Sequence, residues 1–434
     1  MHMLTASLIA TLLVSGFGAP SALAEVPPVK SHREQNEIVR GWIAARLRTV
    51  LPALMREQGI DMWIVVTREY NDDPVFRSLS PPSTYASRRR TILVFHDRGG
   101  AAGVEALSIG RFDYEKLYTV VQTHNDGQWD GLRTLVDARR PKVIGVNTSE
   151  TFAHADGLSH NEHVNLMRVL GPHASKVTSA ERLAVAWLEK KLPEEVEGYR
   201  EAMRIAHAII REAFSNTGIT PGVTTVDDVA WWMRQRSAAL GLGQWFQPTV
   251  DLQRKGGRPS DSRVIQRGDL LHCDFGIVYL GFSTDTQHNA YVLLDGETDA
   301  PKGLRDGQRA GTRLQDIVMS HARVGGTGNA ALAASIAQGK SEGLHPIVYC
   351  HPIGYHGHGA GTHIGMTDYQ DGLPGAGDYL FRADSWHSIE LSAFHPVPEW
   401  DGQAVRFALE EDAMITDRGW EWINGRQDDL YLVR

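Results

Sequence analysis

The run Gly268-Asp269-Leu270-Leu271-His272-Cys273-Asp274-Phe275-Gly276 sets an aspartate inside an otherwise apolar, strand-like segment. Burying an unpaired carboxylate is costly, so a strand of this kind calls for a cation that compensates the charge. Eleven residues after Asp274 comes Asp285, in Gly281-Phe282-Ser283-Thr284-Asp285-Thr286. A β-hairpin through Gly281 would bring the two carboxylates together, and a shared metal ion would relieve their repulsion. Taken alone, the pair reads equally well as two solvated turn aspartates.

The pair has company. Five of the 19 histidines fall within residues 345–363, and five glycines lie between 354 and 365. Residues 351–365 read His-Pro-Ile-Gly-Tyr-His-Gly-His-Gly-Ala-Gly-Thr-His-Ile-Gly. Neutral imidazoles are common metal ligands, and glycines let the backbone approach a crowded site. His356 and His358 are two apart, so on a strand they would face the same side. Two further acids follow in apolar surroundings: Glu390 in Ser388-Ile389-Glu390-Leu391-Ser392, and Glu410 or Glu411 in Leu409-Glu410-Glu411-Asp412-Ala413-Met414-Ile415-Thr416. Singly, each reads as a surface strand acid. Two aspartates, one histidine and two glutamates together form an oxygen-rich five-ligand set, suited to Mn, Fe, Co or Zn and unlike a structural cysteine site. With two cysteines, Cys273 and Cys350, the chain can build neither a disulfide scaffold nor a four-cysteine zinc site. Both read as buried thiols.

The rest of the sequence frames this constellation. Its 434 residues allow two or three domains. A net charge of −8 argues against a general nucleic-acid binder. Residues 1–24 carry no Asp, Glu, Lys or Arg, contain a short apolar run from Leu4 to Phe17, and end in Ala22-Leu23-Ala24. That layout predicts a secretory signal peptide cleaved near Ala24, hence an exported, periplasmic or secreted protein. No later stretch is long and apolar enough for a membrane helix. A helix is predicted over 36–59 and strands at 62–66, 91–95, 106–109 and 143–146, giving an α/β domain over 25–177. A second block, 178–434, opens on Thr178-x-x-Glu181, a capping-box pattern. Further helices are predicted from Pro193 and from Thr225-x-x-Asp228, with β-type runs beyond 245. The aromatic pairs Trp231-Trp232 and Trp245-Phe246 read as core packing.

The order Asp274, Asp285, His, Glu390, Glu410 resembles the dinuclear metallopeptidases of the pita-bread fold: methionine aminopeptidase, Xaa-Pro aminopeptidase and prolidase. Tyr355-x-Gly357-His358-Gly359-x-Gly361 is similar to a methionine aminopeptidase segment, which implies His358 rather than His356 as the metal histidine. Ser-Ile-Glu390 resembles the Thr-Ile-Glu that carries the next ligand. In the family the last glutamate precedes a threonine by six positions, which from Thr416 implies Glu410, with Glu411 its neighbour as the alternative. The resemblance covers about 180–434. The Arg46–Val66 helix and strand are similar to the N-terminal domains of prolidases and creatinases, leaning toward the Xaa-Pro branch. The implied architecture is a creatinase-like α/β N-terminal domain followed by an α+β pita-bread catalytic domain.

By that resemblance two divalent ions, Mn first with Co, Zn or Fe as alternatives, would be held by Asp274, Asp285, His358, Glu390 and Glu410. Asp285 and Glu410 would bridge them, and Glu390 would also relay the proton. The family usually has a histidine seven residues after the metal histidine, and here that position is Gly365. His363 and His356 are the candidates to replace it. A second histidine, usually about 17 residues before the first aspartate, has no counterpart in Gln247–Gly257. Arg406 could clamp a substrate carboxylate. The implied activity is an exopeptidase acting on peptides at the bond before proline. A pita-bread hydrolase of another amide, amidino or ester bond, or a non-catalytic metal-binding scaffold, stand as alternatives. Family members are commonly dimers or tetramers, so a homo-oligomer is implied, with neither nucleic acid nor membrane as partner.

Overall fold

The computed structural model describes residues 25–123, 127–257 and 262–434; the expected signal peptide at 1–24 lies outside the described residues. Helix α1 (His32–Glu57) starts at a reciprocal cap, in which Ser31 N–H donates to the Glu34 carboxylate and Glu34 N–H donates back to Ser31 Oγ. Its buried Val39, Ile43, Leu47, Val50 and Leu54 recur every three or four residues, forming one apolar stripe.

That stripe covers one face of a six-stranded sheet. The sheet contains β1 (Met62–Arg68), β2 (Arg90–Asp97), β3 (Val104–Ile109), β4 (Thr119–Val121), β5 (Ile144–Val146) and β6 (Val177–Ser179), in the order β4-β3-β2-β1-β5-β6. Strand β1 is buried from Met62 to Thr67, as a strand covered on both faces must be. Trp63 and Val65 pack toward α1. Met62, Ile64 and Val66 pack toward the helices at Gln128–Arg139 and His160–Leu170. This is the expected α/β domain. The predicted cap at Thr178 does not form, because Thr178 lies in β6 and pairs with β5. The next helix, Glu181–Glu189, begins after Ala180, and Glu181 N–H is taken by Ser179 Oγ instead.

The C-terminal part is α+β. A long helix, Pro193–Ala213, starts at the expected proline with Glu194 and Glu195 in its first turn. The following helix, Val226–Ala239, is capped by Thr225 and Asp228 as the sequence predicts. A sheet ordered β19-β11-β8-β7 comprises β7 (Thr249–Gln253), β8 (Leu270–Phe275), β11 (Thr286–Val292) and β19 (Tyr431–Val433). Between β8 and β11, the short strands β9 (Val278–Tyr279) and β10 (Phe282–Ser283) form the hairpin expected at Gly281. Leu280 and Gly281 both take positive φ, 53° and 78°, the requirement of a tight two-residue reversal.

Two more sheets complete the domain. One joins β12 (Ile347–Val348), β15 (Leu391–Val397) and β16 (Gln403–Leu409), backed by the helix Lys302–His321. The other joins β13 (His351–Pro352), β14 (Ser385–Ser388), β17 (Asp412–Thr416) and β18 (Gly419–Trp422). The chain crosses between these two sheets at Ile389-Glu390 and again at Glu410-Glu411. A bridge between Gln287 and Glu410 ties the second crossing to β11. Three sheets therefore meet where the sequence places its acids. Among the described residues no helix is long and apolar enough to cross a membrane. Cys273 and Cys350 are free, buried thiols.

Candidate metal centre

Strand alternation explains the aspartate in the apolar run. Leu271, Cys273 and Phe275 turn into the main core, so His272 and Asp274 share the opposite face. Gln287 sits directly across from Asp274 in the β8–β11 pairing. Asp285 stands one residue before β11, and its backbone N–H donates to Asp412 Oδ2 at 3.1 Å. Tyr199 donates to the same Asp412 oxygen at 2.7 Å. Glu410 accepts from Ser388 Oγ at 2.6 Å through Oε1 and from Gln287 Nε2 at 2.8 Å through Oε2. The same Gln287 nitrogen lies 2.8 Å from Glu390 Oε1.

Into this nest of carboxylates projects His351, fully buried on β13. Its Nε2 lies 3.4 Å from Glu410 Oε1 and 3.7 Å from Asp285 Oδ2. Two ligands each about 2.0–2.2 Å from one ion stand roughly 3.0–3.5 Å apart, so these separations are close to those of ligands around a metal. Ligand atoms fall within 4.8 Å of one another in three overlapping sets: Asp274, Asp285 and Glu410; His351, Glu390 and Glu410; and Asp285, His351 and His358. Asp274 Oδ1, Asp285 Oδ1 and His351 Nε2 are buried without any hydrogen-bond partner. Buried polar atoms are rarely left so, and three converging on one space fit a bound cation.

The electrostatics point the same way. Burial, and then repulsion from Glu410, pushes the carboxyl pKa values of Asp285 and Glu390 well above the usual carboxylate range. Burial and then Asp274 do the same to Glu410. Burial raises Asp274 too. Burial pushes His351 down to about 4, leaving the neutral imidazole that a metal ligand requires. Divalent cations invert this balance, since they favour the ionised form of every carboxyl group around them.

The structure gathers Asp274, Asp285, Glu390 and Glu410 from the predicted set. Glu411 turns the other way, as the next residue on extended backbone does. It is clasped by His288 at 2.6 Å, His207 at 2.9 Å and Gln427 N–H at 2.9 Å. Burial alone would raise its pKa, but the two histidines outweigh burial and hold it down to about 2. His207 and His288 have their second ring nitrogens paired with Asn424 and Tyr431, so this triad is a closed hydrogen-bonded set.

The histidine segment departs from the strand expected for it. Between Ile353 and His363 it is a series of bends, and His356 and His358 have different neighbours. His358 is exposed, with its ring 4.7 Å from that of His351. His356 turns instead to the N-terminal domain, its ring 4.7 Å from His154. His363 is tied through Nδ1 to the Gly361 carbonyl at 3.1 Å. Neither His356 nor His363, the expected helpers, enters a ligand set. Trp245 is not core either: it is half-buried 5.1 Å from His358 and lies over Gly357, where an added Cβ would sit 2.3 Å from the indole. Trp231 is 60% exposed. Arg406, exposed on β16, makes no ion pair among the described residues, yet its charge lowers Asp274 and Glu390.

Sequence reasoning missed His351, although it precedes His358 by the seven residues that separate the family's two histidines. It also missed Gln287, His272, Ser388 and Asp412, whose roles depend on cross-strand register.

The profile of metallopeptidase family M24 matches residues 197–417, about half of the chain. A Bacillus subtilis relative described as an uncharacterized peptidase, YqhT, is 23% identical over 273 residues, covering 60% of this chain and 70% of that one. In three dimensions the chain resembles an X-Pro aminopeptidase from Thermotoga maritima MSB8, with a TM-score of 0.64, 16% identity, and 88% of this chain and 100% of that chain covered. It also resembles an Xaa-Pro dipeptidase from Bacillus anthracis, with a TM-score of 0.57, 18% identity, and 93% and 100% covered. These likenesses extend the shared fold to the N-terminal α/β domain, and the profile match assigns the catalytic half: the chain belongs to metallopeptidase family M24.

Proposed function

We propose that this metallopeptidase is a dinuclear, metal-dependent exopeptidase that hydrolyses the bond before proline, as an Xaa-Pro aminopeptidase or a prolidase-like dipeptidase. The observation that carries the reading is the buried convergence of Asp274, Asp285, His351, Glu390 and Glu410 with three unpartnered ligand atoms. Asp285 and Glu410, each shared by two of the overlapping groups, would bridge two bound ions. Asp274 lies to one side; His351 and Glu390 lie to the other. His351 replaces His358 as the proposed ligand, because it is the buried imidazole among the carboxylates. Manganese is the proposed metal, with Co, Zn or Fe as alternatives for this oxygen-rich set.

Divalent ions held there supply Lewis acidity and activate water near neutral pH. The protein's own groups do the rest. Glu390, partly exposed and held through Oε1 by Gln287, would take a proton from the attacking water and return it to the leaving amine. His358, exposed beside His351 and steadied by Trp245, is placed to donate to the developing oxyanion. The free guanidinium of Arg406 offers a clamp for a substrate carboxylate. Export after cleavage near Ala24 and a homo-oligomeric state complete the proposal.

The test is an assay of Mn²⁺-reconstituted protein on three substrates: an Xaa-Pro dipeptide, a longer peptide beginning Xaa-Pro, and a peptide beginning with Met. Release of the residue before proline from either of the first two is expected. Cleavage of the Met peptide alone, or of none while metal is bound, overturns the reading.

A further inference from the structure

Gln287 and His272 lie outside the ligand set, yet they form a directed chain of hydrogen bonds into it. Gln287 Nε2 is 2.8 Å from both Glu390 Oε1 and Glu410 Oε2, and Gln287 Oε1 is 2.9 Å from His272 Nε2. Gln287 turns its NH₂ group toward the two carboxylates, one proton to each, the orientation required once a bound cation keeps both ionised and therefore acceptors only. Its oxygen then faces His272, which can satisfy it only with the proton on Nε2. The direction of every bond in the chain follows from the two carboxylates.

The chain is also held in place. Gln287 is 4% exposed and sits on β11 opposite Asp274. His272 lies diagonally across from it on β8, two residues before Asp274 on the same face. An amide is well suited to this position. It supplies two donors to two crowded carboxylates without adding a charge that would compete with a cation for them.

We propose that His272 and Gln287 are positioning residues of the metal centre: His272 orients the Gln287 amide, and the amide holds Glu390 and Glu410 in the spacing that binds divalent ions. The inference rests on the metal reading given above. Outer partners of this kind typically alter metal affinity by about 10- to 100-fold when removed.

The experiment is calorimetric titration of Mn²⁺ into chelator-stripped full-length protein, with the absorption spectrum of the Co²⁺-loaded protein as a second readout. Gln287→Leu is expected to weaken Mn²⁺ binding by about 10- to 100-fold and to shift the Co²⁺ bands. His272→Leu is expected to weaken it by about tenfold or more, whereas His272→Gln, which still donates, recovers the parental affinity to within about threefold. Because His272 acts only through Gln287, the double leucine variant binds no more weakly than Gln287→Leu. Gln287→Asn keeps the amide but shortens its reach, so it reproduces the loss if the leucine variant fails to fold. With a parent that binds Mn²⁺, parental affinity in His272→Leu overturns the proposal. So does a double variant whose loss is the product of the two single losses. A parent that binds no Mn²⁺ sinks the metal reading itself.

Discussion

Replacing His351 by alanine removes the one imidazole that, among the described residues, is buried amid these four carboxylates. Its Nε2 is 3.4 Å from Glu410 and 3.7 Å from Asp285, with no other partner. A four-ligand zinc site in a small domain binds with roughly 10–16 kcal/mol, or about 2.5–4 kcal/mol per ligand. Each 1.4 kcal/mol is about tenfold, so the variant should lose two to three decades of affinity for one of its ions. His358→Ala makes the contrast. That ring is exposed beside the ligand, so its loss should leave both ions bound within about threefold but lower kcat by about 10²–10³, the usual cost of one oxyanion donor. Equilibrium dialysis with elemental analysis measures the first effect, and steady-state hydrolysis of an Xaa-Pro dipeptide at saturating Mn²⁺ measures the second. The reverse pattern, metal kept in His351→Ala and lost in His358→Ala, would refute the reassignment and restore the ligand that the sequence motif implies.

Three further outcomes follow from the same geometry. Glu410→Gln should abolish binding of at least one ion, whereas Glu411→Gln should leave metal content intact and lower stability, since it weakens the buried clasp to His207 and His288; elemental analysis with urea unfolding separates them. Arg46 and Glu195 form a fully buried ion pair 2.9 Å apart that joins α1 to the helix Pro193–Ala213, and Glu195 also accepts from Tyr355 of the histidine segment. Arg46→Ala strands the glutamate and should cost about 3–5 kcal/mol in urea unfolding; a loss under 1 kcal/mol would contradict the pairing. Asp285, Glu390 and Glu410 have pKa values raised in the folded chain, so without cations their stability contribution is complete below about pH 4 and is lost as pH rises through the raised values. Calorimetry of chelated against Mn²⁺-loaded protein should therefore show a stability gap that widens as pH rises above about 4, and a gap that narrows would refute this.

What could be read from sequence was the chemistry that strand periodicity exposes. Asp274 announced itself because an acid in an apolar run is expensive, and the hairpin at Gly281 fixed its partner Asp285. Glu390 and Glu410 were legible as types, but their convergence arises because both sit where the chain crosses from one sheet to another. The histidine segment is not legible from a two-residue period, because its glycine-rich backbone bends: His356 lies against His154 of the N-terminal domain and His358 is exposed beside His351. The local motif points to His358, whereas the seven-residue spacing of His351 and His358 is the signal for His351. Gln287 and His272 carried no signal of their own. A neutral amide gains its role only from the two carboxylates that the register of β8 and β11 sets beside it.

The central claim is that this M24 chain holds two divalent ions among Asp274, Asp285, His351, Glu390 and Glu410. Anomalous diffraction from crystals grown with Mn²⁺, recorded on both sides of the manganese absorption edge, tests it directly. Two peaks about 3.5–4 Å apart, flanked by Asp285 and Glu410 with one touching His351, are the predicted result. Absence of any peak among these five residues at saturating Mn²⁺, or a peak at the Glu411, His207 and His288 triad in their stead, would contradict it.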